Sequence, residues 1–177
     1  MQIEYLGGES FKIKTKTMTV VLAASESTKK QTADVVVGNA KRISGPVKRE
    51  ETFVIDRPGE YEIGGVEIRT MPVNGDMVTI IYAEGISLVH LGGVKELSEK
   101  QMEELSIAEI LMMPTGAKKE LVNKLAPLVL IPMGYKEKSE VDRFVSEGGF
   151  DNVEKVEKLS FKSQSDLPED IQVVIMG

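Results

Sequence analysis

The sequence predicts an α+β fold in which two mixed β-sheets carry helices on their outer sides. Two observations point there. The N-terminal half is a run of short apolar segments broken by glycine turns, the pattern of a β-meander, while the C-terminal half alternates helical and buried-strand patterns. No Ser/Gly-rich or Pro-rich linker separates the halves, so residues 1–177 are expected to form one domain, with a core that buries roughly two-thirds of the unfolded surface.

From residue 3 to about 22, alternating runs break at Gly7-Gly8 and at Thr15-Lys16-Thr17, giving consecutive strands with Phe11, Ile13 and Val21 in the core. Residues 25–31 are polar and aperiodic and read as a loop, followed by the β-branched strand Ala33-Asp34-Val35-Val36-Val37. Residues 38–51 hold Lys41, Arg42, Lys48 and Arg49 around Gly45-Pro46 and have loop chemistry. Strands are expected at 52–55 and 60–63, and Gly64-Gly65 then supplies a two-residue hairpin turn into 66–69. A second hairpin joins 77–82 to 86–90 through Ala83-Glu84-Gly85. Ser98 and Gln101 make a capping box that starts a helix through Leu105. Residues 110–113 and 128–131 are buried strands on either side of a helix over 117–125 that Pro127 closes. A further helix over 139–147 ends at Gly148-Gly149, and strands near 156–161 and 171–175 complete the chain.

Composition narrows the function classes. An apolar share of 41% and a charged share of 28% are ordinary for a globular protein and argue against wholesale disorder. The absence of cysteine removes disulfides, thiolate nucleophiles and cysteine-based zinc sites, and suits a reducing cytoplasm, the expected location. With 28 acidic against 22 basic residues the formal charge is −6, which disfavours nucleic acid or anionic lipid as a partner. No stretch approaches the ~18 apolar residues of a membrane span, and the N-terminus lacks a signal-peptide pattern.

Few residues could carry chemistry. His90 is the only histidine, and no GxSxG elbow or SxxK motif supports Ser10 or Ser44 as a nucleophile beside it. Glu60 and Glu62 share a strand face and could act as paired carboxylates; the simpler reading is a solvated face opposite Tyr61 and Ile63. Lys41, Arg42, Lys48 and Arg49 could collect a phosphate or carboxylate, or could line an ordinary exposed loop. Neither GxGxxG nor GxxxxGK[ST] occurs, and Met112, Met113 and Met133 in apolar strands read as core filling.

Taken together, Tyr5-Leu6-Gly7-Gly8 with Ser10-Phe11, Ala33-Asp34-Val35-Val36, the segment 53–68 with Pro58-Gly59-Glu60-Tyr61-Glu62, His90-Leu91-Gly92, Ile131-Pro132-Met133-Gly134-Tyr135 and Ser165-Asp166-Leu167-Pro168-Glu169 resemble the metallo-β-lactamase superfamily. The closest likeness is to its small lactonase-like branch of predicted zinc-dependent hydrolases, in family order over nearly the whole chain. The resemblance implies a four-layered αβ/βα sandwich with a site along the shared edge of two sheets. It also implies a metal site drawn from an HxHxDH loop, a histidine in HLGD and another in IPMHY. There, imidazoles and a carboxylate hold one or two zinc ions, and a metal-bound water becomes the nucleophile.

This chain departs from that pattern at each motif. The loop after Val37 reads Gly38-Asn39-Ala40-Lys41-Arg42-Ile43-Ser44-Gly45, with neither histidine nor aspartate. YLGH stands as Tyr5-Leu6-Gly7-Gly8, HLGD as His90-Leu91-Gly92-Gly93, and IPMHY as Ile131-Pro132-Met133-Gly134-Tyr135. Gly8, His90, Gly93 and Gly134 are therefore expected to mark a vestigial site with no catalytic residue, no metal ligand set and no cofactor. Lys41 and Arg42 would bring charge that repels a metal and could hold an anion. The expected function is that of a catalytically inactive protein of this fold with a binding, sensing or assembly role, toward an unidentified small molecule or protein partner, a second copy or a paralogue included. The alternative is metal-independent hydrolysis or anion binding in a remodelled pocket around His90, Lys41 and Arg42.

Overall fold

The computed structural model describes residues 1–25, 32–38 and 52–177. The meander half supplies β1 (Gln2–Gly7), β2 (Ser10–Lys14), β3 (Thr19–Leu22), β4 (Val35–Val37), β5 (Phe53–Ile55), β6 (Gly59–Ile63), β7 (Val66–Val73), β8 (Asp76–Ala83) and β9 (Ile86–His90). The second half supplies α1 (Glu99–Leu105), β10 (Ile110–Pro114), α2 (Glu120–Leu125), β11 (Val129–Met133), α3 (Lys138–Gly148), β12 (Val153–Val156), β13 (Lys158–Ser160) and β14 (Gln172–Met176).

These strands build two mixed sheets, one ordered β13-β1-β2-β3-β4-β5 and the other β12-β14-β11-β10-β9-β8-β7-β6. Pairing follows the connections. Strands joined by short turns are antiparallel, as in β6-β7-β8-β9, and strands joined through helices are parallel, as in β9-β10-β11. The sheets face each other across a core that includes Ile3, Phe11, Ile13, Ile68, Ile81, Leu88, Ile110, Met112 and Ile131. Val89, Leu91, Leu111, Met113 and Leu130 alternate with the inner residues, and on the outer face they pack with Leu105 of α1, Leu121 of α2 and Phe144 of α3. Strands β9, β10 and β11 are thus buried on both faces, which is why they read as continuous apolar runs. Met112, Met113 and Met133 are all fully buried.

Three elements depart from the sequence expectation, the first being α2, which begins at Glu120 and leaves 117–119 of the expected 117–125 outside the helix. β7 continues past Arg69 to Val73 because Pro72 lies beyond Thr70, the last residue paired with β6, so its missing N–H interrupts no bond on that side. Asn74 (φ 52°) and Gly75 (φ 84°) then close a hairpin into β8. Residues 156–161 do not form one strand. Val156 pairs with Met176 in the eight-stranded sheet while Lys158 pairs with Glu4 in the six-stranded one, so the chain changes sheets at Glu157. Among the described residues no helix is long and apolar enough to cross a membrane.

Candidate functional site

The alternation along β9 turns Ile86, Leu88 and His90 toward the space between the sheets, where Phe11 of β2 packs edge-on against the imidazole with ring centroids 6.0 Å apart. His90 is 2% exposed. Both of its nitrogens are engaged by backbone: Nε2 lies 2.8 Å from the Glu9 carbonyl oxygen, and Nδ1 lies 3.1 Å from the Gly92 amide nitrogen. A carbonyl only accepts and an amide N–H only donates, so the tautomer that satisfies both is the neutral ring with Nε2–H donating to Glu9 and Nδ1 accepting from Gly92. Burial pushes the imidazole pKa from 6.5 down to about 4, against the opposing pulls of the Glu9 carbonyl and the Asp76 carboxylate.

The glycines named from the motifs gather around this ring. The Gly134 N–H at the end of β11 donates to the Gly8 carbonyl at 2.9 Å, and the Tyr5 hydroxyl donates to the same oxygen at 3.1 Å. Gly8 (φ +62°) and Gly134 (φ +71°) both sit in the left-handed region that a side chain disfavours. A Cβ on Gly93 would meet Asp76 Oδ2 at 2.5 Å and Glu9 Oε1 at 3.5 Å, and one on Gly134 would meet that same Glu9 oxygen at 3.8 Å. Two carboxylates therefore stand where larger side chains at 93 and 134 would project. Asp76 is fixed in place, Oδ2 accepting the Gly93 N–H and Oδ1 the Met77 N–H, each at 3.1 Å. The remaining cavity, lined in part by Glu9, Asp76, Thr79 and His90, holds about 20 Å³, room for roughly one water.

Glu9 and Asp76 were not singled out by sequence reasoning. A signal for Asp76 existed in the β8–β9 hairpin: Thr79 pairs with His90, and continuing that register sets Asp76 opposite Gly93. Ser10 is buried, and its Oγ donates to the Ala23 carbonyl at 2.6 Å. Glu60 and Glu62 lie exposed on the outer side of β6, remote from His90 in the fold. Lys41, Arg42, Ser44, Lys48 and Arg49 lie outside the described residues.

The side chains described around His90 do not fit a zinc ion. A mononuclear site needs three protein donors converging on one point, yet positions 8, 93 and 134 have no side chain and the Nδ1 lone pair of His90 is taken by a backbone N–H. Among the described residues no group of three His, Cys, Asp or Glu could hold a metal ion.

Two mixed sheets with helices on the outside and a site at their shared edge define the class of metallo-β-lactamase-fold proteins. A family model described as beta-lactamase superfamily domain matches residues 2–134. A candidate Zn-dependent hydrolase of the metallo-β-lactamase superfamily from Thermotoga maritima matches at 31% identity with a TM-score of 0.85, over 99% of this chain and 98% of that one. Igni18, a metallo hydrolase from Ignicoccus hospitalis, matches at 14% identity and a TM-score of 0.65, over 99% of this chain and 95% of that one. The metallo-β-lactamase fold protein YhfI from Bacillus subtilis matches at 6% and 0.61, over 98% and 95%. These last two show the fold alone. No curated protein matched the sequence. The chain belongs to the metallo-β-lactamase superfamily.

Proposed function

We propose that this chain is a non-hydrolytic member of its superfamily, a single domain that works in the cytoplasm by binding a small molecule or a protein partner. The observation that carries this reading is the state of His90: a neutral ring with one nitrogen donating to the Glu9 carbonyl and the other accepting from Gly92. Such a ring offers no lone pair to a metal ion and none to a substrate proton, which weighs equally against zinc chemistry and against a metal-independent base. Glycines 8, 93 and 134 and the emplacement of Asp76 against Gly93 support the same reading. The relative from Thermotoga maritima is a candidate zinc-dependent hydrolase; that role does not carry over to a donor set of this kind.

The test combines metal analysis of protein purified without added metal with a turnover screen on lactone, phosphodiester and β-lactam substrates. The expected result is zinc far below one equivalent and rates indistinguishable from buffer. Stoichiometric zinc, or turnover of any of these substrates with or without a chelator, would overturn the proposal.

A further inference from the structure

Beyond α1 the outer face of β6, β7 and β8 carries a groove of about 590 Å³. Cross-strand register places Glu62, Glu67 and Tyr82 in one row, and Glu60, Arg69 and Ile80 in the next. Tyr82 is 47% exposed, and Ile107, just past α1, is 55% exposed on the same groove. Arg69, the one cation among the described residues that line the groove, is already bound by Glu104 at 3.0 Å and by Glu60 at 3.7 Å. Glu62 and Glu67 face each other directly in the antiparallel ladder, and among the described residues neither has an ion-pair partner. Like charges in that position weaken a strand pair, and large apolar side chains beside them leave surface that a partner can bury.

From this we infer that the groove docks a lysine- or arginine-bearing extended segment of a partner protein, with an apolar side chain on Tyr82 and Ile107 and a cation between Glu62 and Glu67. A cation there turns a cross-strand repulsion into two attractions. A second copy docking symmetrically through this face would set its own acidic rim against this one, which disfavours a twofold dimer here. The inference concerns a surface apart from His90 and does not depend on the proposed loss of hydrolysis.

The experiment titrates the isotope-labelled intact protein with a short capped peptide alternating lysine and leucine, and with its counterpart carrying glutamate for lysine, followed by amide chemical shifts. The expected result is perturbation confined to β6, β7, β8 and Ile107. Affinity should be roughly tenfold weaker for the acidic peptide and roughly tenfold weaker for the basic peptide on a Glu62→Lys/Glu67→Lys variant. A Tyr82→Ser variant should also bind less tightly, and the unperturbed remainder of each spectrum reports that both variants fold. Equal binding of the two peptides, undiminished binding by the charge variant, shifts centred elsewhere, or none at millimolar peptide would overturn the inference. So would concentration-dependent shifts of this face without peptide, which would assign it to a second copy.

Discussion

Acidification is expected to destabilise the protein through His90 by an amount that its burial sets. The unfolded chain's imidazole titrates near 6.5 and the folded one near about 4. Between these values the unfolded state binds the extra proton, so stability rises with pH across that window and falls as pH drops through it. Each pH unit inside the window is worth up to about 1.4 kcal/mol, which gives roughly 3 kcal/mol when the whole window is crossed and about 2 kcal/mol between pH 6.5 and 5. The assay is urea unfolding of the wild type and a His90→Asn variant at a series of pH values from about 5 to 7.5. Asparagine offers an oxygen to the Gly92 N–H but carries no titrating proton, and carboxylates that titrate in both proteins cancel in the difference. Near pH 7.5 the two curves should run parallel. Below it the wild type should lose stability relative to the variant. Curves parallel throughout would mean that the buried ring is not held neutral, and the tautomer argument would fail with it.

Three further outcomes follow from local geometry. Gly93→Ala should destabilise by roughly 1–3 kcal/mol because its Cβ meets Asp76 Oδ2, and combining it with Asp76→Ala in denaturant unfolding should give less than the sum of the single losses. Ser98→Ala removes an N-cap acceptor from the capping box of α1 and should cost about 1 kcal/mol in thermal unfolding, with the His90 contribution unchanged. Ala126→Gly should stabilise by roughly 0.5–1 kcal/mol in the same assay, since the C-cap of α2 holds an alanine at φ 45°.

The meander and the capped helix α1 were legible because local chemistry specifies them: glycine turns in the first, Ser98 with Gln101 in the second. The transfer between sheets at Glu157 was not, because β12 and β13 are short and half-polar, and the choice of sheet is made by distant partners, Met176 and Glu4. β7 runs beyond the expected 66–69, and Pro72 is harmless there only because β6 has already stopped pairing, a fact set by the partner strand. At the site, the glycines at 8, 93 and 134 could be read from the motifs. The groups that stand beside them could not. Asp76 reaches Gly93 through strand register, and Glu9 reaches His90 by the packing of one sheet on the other, a contact between residues far apart in sequence.

The hydrogen bond from Gly134 to Gly8 also bears on what this corner of the molecule tolerates. It ties the turn after β1 in one sheet to the end of β11 in the other, and both residues sit in a backbone conformation hospitable to glycine. A larger side chain at either position would strain that backbone and disturb the bond. The cost would fall on the docking of one sheet against the other as well as on the turn itself. The bond behaves as a latch between the two sheets, one whose closure favours glycine on both sides.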